Sequence, residues 1–131
     1  MKVIDSSALI KYLTKEENWQ KIENHIKEGC VTLDLAIKET ANALVKKTLK
    51  NEVDIKTAKQ IIVHLSRIVK IMPQKEQFEK ALEISIKHKI TIYDALFIAL
   101  ATNTNQPLLT SDRKQAETSK KYGVTTTLIR S

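Results

Sequence analysis

Short apolar runs alternate with longer helical segments along this chain of 131 residues. The short runs lie at residues 2–5, 30–33, 69–72, 107–110 and 125–129, and they are rich in Val, Ile, Leu and Thr. Strand-like runs that are separated by helices are typical of a parallel sheet. The pattern therefore predicts an α/β fold with a central, mostly parallel sheet of four or five strands. The length favours a single domain over residues 1–131 with a sizeable core.

Caps and apolar spacing predict seven helices, over residues 6–13, 18–27, 34–50, 54–68, 78–86, 91–104 and 113–122. Asp34 and Asp54 stand where N-cap residues are expected, and Gly123 ends the last helix. Three helices have an apolar face, formed by Trp19, Ile22 and Ile26, by Ile55, Ile61, Ile62 and Leu65, and by Phe78, Ala81, Leu82 and Ile86. We expect these faces to contact the core, and the first two to supply an interface where the core leaves them free.

The composition excludes several classes of protein. No apolar run approaches the length of a membrane span, and a strand-like run rather than a signal peptide follows Met1. The single cysteine, Cys30, excludes an internal disulfide and a Cys-rich zinc site, which favours a reducing cytoplasm. The formal net charge of +7 suits an RNA or DNA partner, but it is spread along the chain and suits a plain solvated surface equally well.

Four acidic residues stand where a parallel sheet would bring them together. Asp5 and Asp112 follow predicted strands. Glu39 lies inside the helix after the second strand, and Asp94 lies in the first turn of the most apolar helix. Ligands bind beyond the carboxyl ends of the strands in open parallel sheets, so we expect these side chains to converge there. Clustered carboxylates repel one another, and a hard cation such as Mg²⁺ offsets that repulsion, so the pattern predicts a divalent metal site.

Each acid also has a purely structural interpretation. Asp5, Asp94 and Asp112 stand at or near helix starts, where an acidic side chain caps free backbone N–H groups. Glu39 stands in mid-helix and cannot cap, but a solvated position beside a neighbouring lysine would suit it. The residues alone leave both interpretations open at each position.

Four segments that contain these acids resemble the PIN-domain nucleases, and most closely the VapC-type toxin ribonucleases. In chain order they are Val3-Ile4-Asp5-Ser6-Ser7-Ala8-Leu9, Glu39-Thr40-Ala41-Asn42-Ala43-Leu44, Tyr93-Asp94-Ala95-Leu96 and Leu109-Thr110-Ser111-Asp112-Arg113. The resemblance spans nearly the whole chain and implies a three-layer α/β/α sandwich. It implies catalytic and metal-binding roles around Mg²⁺ or Mn²⁺ for Asp5, Glu39, Asp94 and Asp112, with polar support from Ser6, Asn42 and Thr110. Some members carry a further acid near the last one, where this chain has Lys114 and Gln115.

The resemblance also implies an activity and partners. It implies an endoribonuclease that hydrolyses RNA phosphodiester bonds in the cytoplasm, as the toxin of a toxin–antitoxin pair, with a cognate antitoxin protein and a homodimeric assembly. A bound cation would polarise a phosphoryl oxygen and activate water. Four basic residues close to the acids in sequence are candidates to hold RNA phosphates, with solvated helix surface as the alternative, namely Lys38, Lys46, Arg113 and Lys114.

Other enzyme classes lack their required residues. A haloacid-dehalogenase-type phosphatase needs a second acid two residues after the first, and Ser7 stands there. A P-loop enzyme needs a Gly-rich phosphate loop, which this chain lacks. His25, His64 and His88 lie in unrelated segments, so no histidine pair for metal-independent RNA cleavage is apparent. The open alternatives are a housekeeping RNA-processing PIN nuclease and a catalytically silent module that binds RNA or a protein partner.

Overall fold

The computed structural model describes residues 1–130, and a five-stranded parallel sheet forms its centre. The strands are β1 (Lys2–Ile4), β2 (Cys30–Leu33), β3 (Lys70–Met72), β4 (Leu108–Thr110) and β5 (Thr126–Leu128), in the spatial order β3-β2-β1-β4-β5. Val3 lies opposite Val31 on one side and opposite Leu108 on the other. Every strand pair is parallel, and every strand falls within a predicted run, so the predicted α/β fold is confirmed.

Seven α-helices flank the sheet in residues 1–130. They are α1 (Ser6–Leu13), α2 (Gln20–Glu28), α3 (Leu35–Leu49), α4 (Ile55–Ile68), α5 (Phe78–His88), α6 (Ile92–Thr104) and α7 (Arg113–Lys121), with a short 3-10 helix at Lys75–Gln77. The chain runs outward from β1 to β3 and then back across the sheet to β4 and β5. Because such crossovers are right-handed, α1–α4 cover one face and α5–α7 the other, which gives three layers.

The middle of the sheet is apolar because helices cover both of its faces. Val3, Ile4, Leu108 and Leu109 have no exposed surface, as expected for parallel strands that are buried on both sides. Helix α6 contacts β1, β2 and β4, and its residues 95–101 are at most 2% exposed. A helix that is apolar all round is a buried helix. No helix in residues 1–130 is long and apolar enough to cross a membrane.

Helices α5 and α6 form an antiparallel hairpin, which sets the direction of α6. The Asn103 side-chain amide, in the last turn of α6, donates a hydrogen bond to Gln77 Oε1 just before α5, over 2.7 Å. The chain therefore returns to the amino ends of the strands before α5 begins. Helix α6 then starts at the carboxyl ends of the strands, and this brings Asp94 to the edge where Asp5 and Asp112 lie.

Asp34 occupies the N-cap position of α3, as predicted, but its side chain makes no capping hydrogen bond to that helix. One of its carboxylate oxygens instead accepts the N–H of Gln74 at 3.0 Å. Asp34 therefore ties the end of β2 to the loop that follows the neighbouring strand β3.

The buried face of α5 also differs from the predicted one. Ala81 and Ile84 are buried, whereas Phe78, Leu82 and Ile86 are 40%, 52% and 76% exposed. The three exposed residues recur at every fourth position and so lie on one side of the helix. We call Phe78, Leu82 and Ile86 the α5 stripe.

The apolar faces of α2 and α4 are largely used by the core, as predicted. Ile22 and Leu65 have no exposed surface, and Ile26 and Ile62 pack against the same core. Ile55 is the exception, because it is 62% exposed. Val63 is also 54% exposed, so α4 leaves apolar surface outside the core both at its start and in its middle.

Candidate active site

The candidate site lies between β1 and β4, where the strand order reverses direction. From β1 the chain proceeds to β2 and β3 on one side, whereas β4 and β5 lie on the other side. Crossovers that leave in opposite directions open a crevice beyond the carboxyl ends of the strands. Asp5 follows β1 and Asp112 follows β4, so the structure places both of these acids at the crevice.

Asp5 is the most buried acid of the crevice, at 4% exposed. Its Oδ1 accepts the Ala8 N–H at 3.1 Å and the Ser7 hydroxyl at 2.7 Å, and its Oδ2 accepts the Thr110 hydroxyl. Burial raises the pKa of Asp5 from 3.8 to about 6, although these hydrogen bonds act to lower it. Asp5 therefore caps α1 and also faces the crevice, so its structural role and its site position coexist.

Thr110 and Ser7 fix the position of Asp112 relative to Asp5. The Thr110 hydroxyl donates to Asp5 and accepts the Asp112 N–H at 3.1 Å. Ser7 Oγ accepts the Ser111 N–H at 2.9 Å. The loop after β4 is thereby held against the first turn of α1.

Glu39 reaches the crevice from α3. Its Oε1 accepts the Ser6 hydroxyl at 2.6 Å, and its side chain lines the same pocket as Asp5. The alternative, an ion pair with a neighbouring lysine, does not occur within residues 1–130. Ser6 thus orients a carboxylate that points toward the other acids.

Asp94 interacts electrostatically with the other three acids. Its backbone N–H donates to the hydroxyl of Thr91, the N-cap of α6, at 3.2 Å. Burial raises the pKa of Asp94, and the charges of Asp112 and Glu39 raise it further. The charge of Asp94 in turn contributes to the raised pKa of Asp5. Effects of this kind require charges at short range, so the structure brings all four predicted acids together.

Gln115 connects Asp94 to Asp112 and was not predicted as a site residue. Its side chain is buried, and Nε2 donates to the backbone carbonyl of Asp94 at 2.9 Å. Its backbone N–H donates to Asp112 Oδ1 at 3.3 Å, while its own Oε1 has no partner in residues 1–130. In sequence, a Gln three residues after an N-cap Asp is typical of a capping box. The structure shows this amide bonded to the neighbouring helix instead.

The four acids line one open pocket of about 320 Å³. Ser6, Ser7, Asn42 and Lys46 also line it. The volume is about ten times the share of one water molecule, so the pocket has room for a hydrated cation and a phosphate group. Two of the predicted supporting residues, Ser6 and Asn42, line the pocket, and the third, Thr110, contacts Asp5.

The four basic residues predicted to hold RNA divide into two pairs. Lys46 lines the pocket, and the charge of Lys114 lowers the pKa of Asp94. Lys38 and Arg113 are exposed and lie outside the pocket lining. The structure therefore brings Lys46 and Lys114, but not Lys38 and Arg113, to the acids.

Comparison with known proteins assigns the chain to a family. Residues 2–121 match the family model described as PIN domain. The chain belongs to the PIN-domain family. This PIN domain is 32% identical to Ribonuclease VapC3 of Pyrobaculum aerophilum over 120 residues, which cover 88% of this chain and 92% of that protein. The predicted likeness to VapC-type PIN domains is confirmed.

Two further similarities involve the same organism. The PIN domain is 29% identical over 131 residues to Exonuclease VapC9 of Pyrobaculum aerophilum, covering 98% of this chain and 93% of that protein. Its fold matches the crystal structure of PAE2754 from Pyrobaculum aerophilum with a TM-score of 0.75 and 24% identity, covering 95% of this chain and 82% of that one. The latter similarity supports the fold.

The acids of this PIN domain have the donor chemistry of a hard-cation site. Carboxylate, hydroxyl and amide oxygens are the ligands that Mg²⁺ and Mn²⁺ prefer. The raised pKa values of Asp5 and Asp94 reflect burial and repulsion that a cation would relieve. Within residues 1–130, no group of three or more His, Cys, Asp or Glu side chains is arranged to hold a metal ion by itself. Mg²⁺ suits such an open set, because it keeps several waters and takes one or two protein carboxylates.

Histidine lies away from the pocket of the PIN domain. His25 contacts Lys2 at the amino end of β1, and His88 stacks edge-on against Tyr122. His64 is exposed on α4. The pocket lining within residues 1–130 contains no histidine, so acid–base chemistry there would depend on carboxylates.

Proposed function

We propose that this chain is a metal-dependent endoribonuclease and the toxin of a toxin–antitoxin pair. The observation that carries the proposal is the convergence of Asp5, Glu39, Asp94 and Asp112 on one pocket of a PIN domain. Similarity to Ribonuclease VapC3 supports RNA as the substrate. The cytoplasm is the proposed site of action, because RNA is available there and Cys30 is a buried free thiol.

The surroundings of each acid suit it to metal binding or to activation of water. Together they would hold Mg²⁺ or Mn²⁺, which when bound neutralises charge and polarises the phosphoryl group. Asp94 is the best placed to orient and deprotonate the attacking water, because it lines the pocket and is only half-buried. Asp5 is less suited to that role, because both of its oxygens already accept hydrogen bonds.

Hydrolysis here breaks the bond between phosphorus and the 3′-oxygen. Water adds to phosphorus and gives a proton to Asp94, and the 3′-oxygen leaves and takes a proton from solvent. The products carry a 5′-phosphate and a 3′-hydroxyl. Lys46 and Lys114 supply positive charge beside the acids, which offsets the repulsion of the anionic RNA.

A linear and a circular RNA of the same sequence test this proposal. Both are expected to be cut in Mg²⁺, left intact in excess chelator, and cut again when Mg²⁺ or Mn²⁺ is restored. Cutting of the circle distinguishes an endonuclease from an exonuclease, because a circle has no ends. The Asp94→Asn variant, purified identically, controls for contaminating nucleases. Full activity in chelator would contradict the metal requirement, and degradation of the linear RNA alone would contradict endonuclease action.

An apolar groove between α3 and α4 is the proposed antitoxin surface. Val45, Leu49 and Ile55 line it and are 55%, 78% and 62% exposed. An amphipathic segment of an antitoxin would bury these side chains, as helices commonly do in apolar grooves. Leu49→Asp should weaken co-purification with the product of the neighbouring reading frame, and unchanged co-purification would exclude this groove.

The α5 stripe is the proposed homodimer surface. A two-fold axis at Leu82 would place Phe78 of each copy beside Ile86 of the other. The same antiparallel arrangement would bring Glu79 of one copy near Lys87 of the other, so the charges beside the stripe are complementary. Both the exposed apolar side chains and the charge pattern therefore support an isologous dimer through α5.

A further inference from the structure

A second groove continues from the acid pocket along α1 and α3. We call it the α1–α3 groove, and it is lined by Ile10, Glu16, Ala43, Lys46, Lys47, Lys50 and Glu52. Its volume is about 290 Å³. Ile10, Ala43 and Lys46 line both this groove and the acid pocket. The two cavities are therefore adjacent, and a ligand that extends from the acid pocket past these residues enters the α1–α3 groove.

The three lysines of the groove differ in what they contact. Lys47 is paired with Glu16 at 3.6 Å, and only 23% of its side chain is exposed. Lys46 and Lys50 are exposed, and neither forms an ion pair with a carboxylate in residues 1–130. The pairing of Lys47 leaves Lys46 and Lys50 as the cations that are free to bind an anionic ligand.

The spacing of the two free lysines suits a nucleic-acid backbone. Lys46 and Lys50 are four residues apart, so they lie on the same side of α3 and about 6 Å apart along its axis. This distance is on the scale of the separation between successive phosphates in an extended single strand. Glu52 lies just beyond Lys50 and forms no ion pair in residues 1–130. Its negative charge repels phosphates, so RNA binding is favoured along the groove only as far as Lys50.

We infer that the α1–α3 groove holds the single-stranded RNA that flanks the cut bond, with Lys46 and Lys50 binding successive phosphates. Ile10 and Ala43 form the apolar part of the wall between the two cavities and offer contact to a sugar or base. This inference rests on the proposed ribonuclease function. It goes further by giving the direction in which the substrate leaves the acids and by adding Lys50 as a binding residue.

Salt dependence of RNA binding tests the inference. The Asp94→Asn chain prevents cleavage, and its affinity for a fluorescent single-stranded RNA is measured in Mg²⁺ over a range of salt concentrations. Each lost phosphate contact lowers the slope of log K against log salt by about 0.7 for a single strand. Lys46→Ala and Lys50→Ala should each lower the slope by this amount, and Lys50→Arg should restore it. Lys121→Ala removes the same charge from the far end of α7 and should leave the slope unchanged.

Cleavage by the chain with its acids intact supplies an independent readout. Lys50→Ala should raise KM for a long RNA while kcat stays unchanged. A short RNA that occupies only the acid pocket should be cut equally well by both chains. This difference between substrates would not arise from a general loss of folded protein, and Lys50 is an exposed residue whose removal leaves the core intact.

Either of two results from the salt titration would overturn the inference. One is a salt slope for Lys50→Ala equal to that of the chain with Lys50, and the other is an equally large effect of Lys121→Ala, which would indicate diffuse electrostatic attraction. If the chain cuts RNA and Lys50→Ala cuts long and short RNA just as well, the groove inference alone fails. If the chain neither binds nor cuts RNA, the proposed function fails and the groove inference fails with it.

Discussion

Replacement of Asp5 by Asn should stabilise the metal-free protein at neutral pH while abolishing its activity. The pKa of Asp5 rises from 3.8 to about 6 in the folded state because the carboxylate is buried. A rise of this size corresponds to about 3 kcal/mol of destabilisation when Asp5 is ionised. The folded state binds the proton more tightly than the unfolded state. The penalty is therefore absent below about pH 4, grows as the pH rises to about 6, and is complete above that.

Part of this gain is offset by altered hydrogen bonds. Asp5 accepts bonds from Ala8, Ser7 and Thr110, and the amide nitrogen of Asn cannot accept. Re-orientation of the Thr110 hydroxyl to accept from that nitrogen limits the loss to about 1 kcal/mol. The expected result is that Asp5→Asn is more stable than the parent by about 2 kcal/mol above pH 6 and less stable by about 1 kcal/mol near pH 4.

Urea unfolding in chelator, from about pH 4 to about pH 8, measures this difference. Asp54→Asn is the matched control. The backbone hydrogen bond from Thr57 lowers the pKa of Asp54, so the stability that its charge provides is lost as the pH falls. Because that loss occurs only below the ordinary Asp pKa of 3.8, the stability difference for Asp54→Asn should stay nearly constant from about pH 4 to about pH 8, whereas the difference for Asp5→Asn should change across this range. An Asp5→Asn chain that is no more stable than the parent above pH 6, or a difference that does not change with pH, would refute the reasoning.

Three further predictions concern the site and the dimer. Asp94→Asn should retain the fold, because Thr91 supplies the cap of α6, and should lose RNA cleavage; cleavage at the parent rate would make Asp94 purely structural. Gln115→Ala should weaken Mg²⁺ binding, measured by calorimetry, by about tenfold because the tie between Asp94 and Asp112 is lost, whereas unchanged affinity would remove Gln115 from the site. Leu82→Lys should convert a dimer to a monomer by light scattering, and a dimeric mass for this variant would exclude the α5 stripe.

The strands and most helices were predictable because their signals are local. A short apolar run between two helices, such as Cys30-Val31-Thr32-Leu33, predicts a buried parallel strand from its own residues alone. The positions of Asp5 and Asp112 at the crevice were predictable for the same reason, since a residue after a parallel strand lies at the carboxyl edge whatever the rest of the chain does. The convergence of Asp94 depended on the path of residues 73–77, which no local pattern specifies.

Side-chain partners were less predictable because they depend on distant elements. Asp34 looks like an N-cap in sequence, but its carboxylate accepts a hydrogen bond from the Gln74 N–H on the neighbouring loop instead. Gln115 likewise looks like part of a capping box and instead reaches the carbonyl of Asp94 on α6. In both residues a local hydrogen bond competes with a tertiary one, and only the three-dimensional structure decides between them.

The buried face of a helix was the hardest feature to predict. Apolar residues recur with the same spacing whether the face packs on the core or on another protein. The α5 stripe has the same spacing as a core face, yet the hairpin with α6 buries Ala81 and Ile84 instead. Among the lysines, Lys38 is adjacent to Glu39 in sequence and Lys46 is seven residues away, yet only Lys46 lines the pocket. In each case the sequence identified the helix, but the prediction did not single out the side chains that face the core or the pocket.

The end groups of the RNA products test the central claim, hydrolysis at the four-acid site, most directly. RNA cut by this chain in Mg²⁺ is analysed beside a reaction with Asp94→Asn and beside a substrate in which hydrogen replaces the 2′-hydroxyl at the cut site. Hydrolysis at this site should give a 5′-phosphate and a 3′-hydroxyl, continued cleavage of the substituted substrate, and no products from Asp94→Asn. A cyclic phosphate at the 3′ ends, or a strict requirement for the 2′-hydroxyl, would contradict it.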